Sequence, residues 1–179
     1  EPEGSPTLPA ACDIAEDAVS LGGVSKSLSL PGARMGWLAT RNHDILQKAA
    51  TFKDYTSICS SAPSERLAII ALKARERIWQ RNRHIIAQNR EVLDDFFARY
   101  PGLFRWLPPQ AGPVAFPELL ADMPVDKLAK QLVAQKGLML LPASVYEYAG
   151  NHFRISAARR NMPEALERLE TFVTETFRE

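Results

Sequence analysis

The most chemically promising residue in this chain is a lysine among very small neighbours. It lies in Gly22-Gly23-Val24-Ser25-Lys26-Ser27-Leu28-Ser29-Leu30-Pro31-Gly32-Ala33-Arg34, followed by Met35-Gly36-Trp37. Taken alone, a lysine in a loop is a solvated charge, because an ammonium is almost never buried unpaired. Here glycine and hydroxyl side chains leave room on every side, and a permanently charged guanidinium stands eight positions on, at Arg34. That arrangement suits a planar, phosphorylated molecule. A primary amine can act as a nucleophile and carry a proton, once desolvation or nearby positive charge lowers its pKa. Arginine can do neither, since it effectively never deprotonates.

A second candidate lies far downstream. In His152-Phe153-Arg154-Ile155-Ser156-Ala157 the strand alternation sets Phe153 and Ile155 on one face and Arg154 on the other. The arginine fork matches a carboxylate, although an arginine exposed on a strand needs no ligand to explain it. Arg159 and Arg160, before Asn161-Met162-Pro163, read as a helix-entry surface. Cys59 reads as a small packing residue without a paired base, and His43, His84 and His152 are too scattered to form a metal cluster.

Together the two motifs resemble the fold type I pyridoxal phosphate enzymes, specifically the class I/II aminotransferases. The lysine pattern Ser-Lys-x-x-x-x-Pro-Gly-x-Arg-x-Gly is matched by Ser25-Lys26, Pro31-Gly32, Arg34 and Gly36, and Phe153-Arg154-Ile155-Ser156-Ala157-Ala158 resembles the substrate-carboxylate strand. Pro142-Ala143-Ser144-Val145-Tyr146 resembles the loop that approaches substrate, with Ala143 in place of a frequent glycine. Gly23 stands where a serine is common, three positions before the lysine. By this resemblance Lys26 binds pyridoxal 5'-phosphate covalently and moves a proton between Cα and C4′. Arg34 holds the phosphate, with Ser25 and Ser27 as possible hydroxyl partners, and Arg154 grips the substrate α-carboxylate. Thr56-Ser57-Ile58-Cys59-Ser60-Ser61 resembles the segment that crosses to a dimer partner, though each residue also suits a cap or loop. Phe116, Tyr146 and Tyr148 could border a side-chain pocket tolerant of apolar groups, or pack in the core. The upstream groups that contact the cofactor ring have no counterpart here, and Asp13 and Asp17 do not take their place.

The resemblance implies amino transfer from an amino acid to a 2-oxo acid by a homodimer, and maps onto the C-terminal half of a family member. A carbon–sulfur lyase or amino-acid decarboxylase of the same fold would share both motifs. A transcription regulator with an aminotransferase-like sensing domain would share them too, but with a DNA-binding domain upstream.

The elements that must position these residues point to an α/β fold. Strands are expected over 18–22, buried, and 35–40, around the lysine loop, with a helix from Thr40 or Asn42 to about Tyr55. Pro63 opens a helical pattern reaching about Tyr100. A single helix of that length would span roughly 50 Å, so a bend or a bridging role is expected. Beyond it, strands are expected over 103–107, 113–119, 138–142 and 152–157, with helices over 125–135 and 163–177. The division follows as 1–62, a remnant of the large cofactor-binding domain; 63–100, a long connecting helix; and 101–179, a small C-terminal α/β domain.

Composition bounds the rest. The chain has 179 residues, of which 46% are hydrophobic and 24% charged, as in an ordinary globular protein. The net charge of +1 provides no field to gather nucleic acid or anionic lipid. Two cysteines fit a reducing cytoplasm, and no apolar run approaches a membrane span. Residues 1–17, rich in Pro, Gly and acidic groups, read as a loop or a short turn-bearing edge, without the pattern of a secretory signal.

Overall fold

The computed structural model describes residues 8–177, so the first seven residues of the expected 1–17 loop lie outside the described residues. The rest of that segment, expected as a loop or a short turn-bearing edge, contains one helical turn, α1 (Ala11–Ile14), with Ala15 N–H donating to Ala11 O at 3.1 Å. The chain is α/β and divides into two compact units, one built from the described residues up to Arg81, the other from Asn82 onward.

In the first unit, β1 (Ser20–Gly23) and β2 (Gly36–Ala39) form an antiparallel hairpin with Gly22 opposite Trp37 and Gly23 opposite Gly36. The glycines are required by proximity. A Cβ on Gly22 would stand 2.4 Å from the Trp37 ring, and one on Gly36 would stand 3.0 Å from Gly22 O. The first strand was expected to be buried, yet Leu21 is 81% exposed. A sheet of two strands lacks the partners to cover both its faces.

Helix α2 (His43–Thr56) begins where Asn42 Oδ1 accepts from the Asp44 and Ile45 backbone N–H groups, at 3.0 and 3.1 Å. The helical pattern from Pro63 is divided into α3 (Ala62–Lys73) and α4 (Arg75–Arg99), separated by Ala74 at φ −95°, ψ 11°. The division between the two units falls inside α4. No residue of α2 is buried, and α3 buries only Ala68 and Ala71.

The second unit has a fuller core. Its strands are shorter than expected: β3 is Phe104–Arg105, β4 Val114–Ala115, β5 Glu118–Leu119, β6 Leu141–Pro142 and β7 Phe153–Ser156. The stretch expected as one strand over 113–119 is two, because its halves have different partners. β4 pairs with β7, whereas β5 pairs with β3. Pro117, between them, has no N–H to give, but its carbonyl accepts from Phe153 N–H at 3.1 Å. The main sheet is antiparallel, in the order β4-β7-β6.

Helix α5 (Val125–Lys136) stops at Gly137, whose φ of 61° favours glycine. Helix α6 (Met162–Thr176) starts with Pro163 in its first turn. The core joins Leu93, Phe96 and Phe97 of α4 to Leu128 and Leu132 of α5, Phe153 of β7, and Leu169 and Phe172 of α6. Among the described residues, no helix is long and apolar enough to cross a membrane.

Candidate functional site

The lysine loop is shaped from within. Val24 is fully buried and Leu28 is 3% exposed, and both pack with Ala33 against Ala68 and Ala71 of α3. Val24 N–H donates to Met35 O at 3.1 Å, and Leu30 N–H donates to Val24 O at 3.0 Å. These two anchors close the loop at its neck. Ser29 N–H meets Lys26 O at 3.2 Å and Ser29 adopts φ 57°, so the backbone reverses just after the lysine. Lys26 therefore stands exposed between two buried neighbours, with Ser25 half-buried beside it.

Arg34 follows a one-turn 3₁₀ helix at Pro31–Ala33 and takes φ 52°, a left-handed conformation costly for a side chain with a Cβ. Its exposed guanidinium donates to Pro31 O at 3.3 Å. One loop thus presents an amine, a hydroxyl and a guanidinium on a backbone fixed by apolar anchors. This donor set fits an aldehyde-bearing phosphate ester: the amine for the aldehyde, the guanidinium and hydroxyl for the phosphate.

Arg154 belongs to the other unit and has its own setting. On β7, Phe153 is fully buried and Ile155 is 7% exposed, while Arg154 faces the opposite side, half-buried. Its Nη1 donates to Tyr146 Oη at 3.0 Å. Tyr146 closes a 3₁₀ turn at Ala143–Tyr146, and the loop beyond is pinned by Ala143 N–H donating to His152 O at 2.8 Å. Asn151 holds the approach to β7: its Nδ2 donates to Leu119 O and Met123 O at 2.9 and 3.0 Å, and its Oδ1 accepts from Val125 N–H at 2.7 Å. Past the strand, buried Asn89 of α4 donates to the carbonyls of Ala157 and Arg159, both at 2.7 Å. β7 is therefore fixed at both ends.

Val114, Phe116, Tyr146, Tyr148 and Arg154 line an open hollow of about 470 Å³. Phe116 and Tyr148 are 39% and 51% exposed, so they belong to this surface and not to the core. The Tyr146–Arg154 bond and the stacking of His152 on Phe116, at 5.1 Å with planes 21° apart, went unread in the sequence. Gly150, two residues before His152, was the available signal.

Other expectations resolve more simply. Cys59 is exposed, which corrects its reading as a packing residue; it sits just past the C-terminus of α2, where none of the described residues buries it. Thr56 Oγ1 donates to Phe52 O at 2.9 Å within α2. Arg159 and Arg160 are exposed just ahead of α6.

Comparison with known proteins identifies the class. The chain belongs to the aminotransferase class I and II family, whose sequence profile matches residues 4–169. Capreomycidine synthase of Streptomyces vinaceus is 28% identical over 131 residues, covering 73% of this chain and 33% of that protein. An L-aspartate:5-guanidino-3-methyl-2-oxopentanoate transaminase of Pseudomonas syringae pv. syringae is 28% identical over 134 residues, covering 74% of this chain and 33% of that protein. Among solved structures, a PLP-dependent aminotransferase from Streptococcus suis superposes with a TM-score of 0.86 at 29% identity, covering 96% of this chain and 46% of that one. The chain thus spans about a third of the length of the curated relatives it matches. The family's cofactor is pyridoxal 5'-phosphate, and its members act on amino acids and 2-oxo acids.

Proposed function

We propose that these residues are the lysine-loop and carboxylate-binding portion of a pyridoxal phosphate-dependent aminotransferase that moves an amino group from an amino acid to a 2-oxo acid. The observation that carries this is the lysine loop. Buried Val24 and Leu28 hold an exposed primary amine, and Ser25 and Arg34 share its backbone turn. When bound, the cofactor supplies an aldehyde for amine exchange and a conjugated ring that accepts electrons from Cα.

The chain's own residues do the rest. Lys26 holds the cofactor through its amine and, once released, carries a proton to or from Cα. Arg34 neutralises the phosphate with a charge that never titrates away, and Ser25 adds a hydroxyl. Arg154, kept in place by Tyr146, accepts the substrate carboxylate. The large-domain, connecting-helix and small-domain division (1–62, 63–100, 101–179) belongs to the same proposal, as do a cytoplasmic setting and a homodimer whose partner completes the site. The name of the Pseudomonas transaminase supports transamination over lyase or decarboxylase chemistry.

Isotopically labelled amino nitrogen tests this. The protein is incubated with cofactor, a labelled amino-acid donor and an unlabelled 2-oxo acid. Label appearing in the new amino acid, and absent with Lys26→Ala, is the expected result. Label released as ammonia, or loss of the donor carboxyl as carbon dioxide, would instead establish a lyase or a decarboxylase.

A further inference from the structure

Phe116 sits at the centre of a ring cluster. It meets Tyr146 edge-on at 6.2 Å and Tyr148 at 5.6 Å, and stacks on His152 at 5.1 Å with planes 21° apart. Tyr148 in turn meets His152 edge-on at 5.1 Å. The arrangement depends on Gly150, where a Cβ would lie 2.4 Å from Tyr148 Cε1 and 2.7 Å from His152 Nδ1. A side chain there would force the rings apart. The three exposed rings are 39%, 45% and 51% accessible, and they border the hollow together with Val114.

Among the described residues, Arg154 is the one charged residue lining that hollow, and no acidic residue lines it. A ligand seated here meets one cation and a wall of π-faces. That combination favours a carboxylate attached to a flat apolar group, because rings pair favourably in stacked or edge-on contact. A cationic side chain finds no carboxylate among the described lining residues to pair with. Tyr146 Oη fixes Arg154 by accepting from its Nη1, which leaves the remaining donors of the fork for a ligand.

We propose that this hollow selects amino and oxo acids with an aromatic or flat apolar side chain, with Phe116 and Tyr148 as the selecting wall and Tyr146 as a positioning residue for Arg154. The proposal rests on the aminotransferase reading but is tested without cofactor. Hydrocinnamate carries a carboxylate and a phenyl ring and has no amine or oxo group to react. Its binding to the 179-residue chain is followed by NMR shifts beside butyrate and guanidinobutyrate.

Hydrocinnamate is expected to bind about fivefold tighter than butyrate, with guanidinobutyrate the weakest. Phe116→Ala should erase the preference for hydrocinnamate over butyrate. Gly150→Ala, which alters none of the rings chemically, should reduce it. Tyr146→Phe should narrow the ratio of hydrocinnamate to its uncharged amide, whereas a merely structural role would weaken both equally. Arg154→Gln should remove binding of every carboxylate. Equal binding of hydrocinnamate and butyrate, both lost with Arg154→Gln, would overturn the selectivity and leave the aminotransferase reading intact. Tighter guanidinobutyrate, or no saturable hydrocinnamate binding, would overturn the proposal outright.

Discussion

At the scale of residues, the chain's chemistry rests on side chains whose neighbours leave them little freedom. Asn89 is 4% exposed and gives both amide hydrogens to the strand end that follows Arg154. Asn89→Ala leaves two carbonyls without these donors and should lower the stability of its unit by about 2–3 kcal/mol, measured by urea unfolding. Tyr100 donates to Glu170 at 3.0 Å, and Glu170 also pairs with Arg99. Burial first, and then the Glu170 hydrogen bond and charge, raise the Tyr100 pKa above its ordinary 10.0, against a smaller opposing effect of Arg99. The folded chain thus holds this proton more tightly than the unfolded one. The stabilisation is present below about pH 10 and is lost as pH climbs through the raised value. Stability measured across the alkaline range should therefore lose this component in Tyr100→Phe. At this scale the lysine motif was legible because it is local: Ser25, Lys26, Pro31, Gly32 and Arg34 share one loop. The Tyr146–Arg154 bond was not, because a turn and a strand pairing must first bring the two residues together.

At the scale of elements, burial separates helices that complete a core from helices that do not. Leu132 of α5 is fully buried, whereas Ile70 of α3 is 63% exposed. Leu132→Ala should cost about 3 kcal/mol, and Ile70→Ala no more than about 0.5 kcal/mol, in thermal or urea unfolding. Asn42→Ala, which removes the α2 cap, should cost about 1 kcal/mol and lower helical content in far-UV circular dichroism. The starts of α2 and α6 were legible because Asn42 and Pro163 mark them chemically. A bend in the long pattern was legible from its length, but its place at Ala74 was not, since alanine is the best helix former and no Pro or Gly stands there. Strand lengths were not legible either. The stretch 113–119 alternates plausibly throughout, but pairing, which depends on residues far away in sequence, assigns its two ends to different sheets.

At the scale of the whole molecule, the two units differ in how far each satisfies itself. The second gathers α4, α5, α6 and β7 around one continuous core. The first buries five hydrophobic residues and leaves Leu21, Phe52, Tyr55 and Ile58 68–90% exposed. Hydrogen exchange should show this directly, with amides of β1, β2 and α2 exchanging well before those of α6 and the α4 residues beyond Arg81. Two strands in the first sixty residues foretold a thin first unit in the sequence. The exposure of β1 did not follow, because burial depends on what lies against a strand. The central claim is that Lys26 is the cofactor lysine, and the most direct measurement is titration with pyridoxal 5'-phosphate, borohydride reduction and peptide mapping by mass spectrometry. The prediction is one saturable adduct, on Lys26, absent in Lys26→Arg although the charge is kept. Adducts spread without preference over other lysines, such as Lys48 and Lys53, and unchanged in Lys26→Arg, would contradict it.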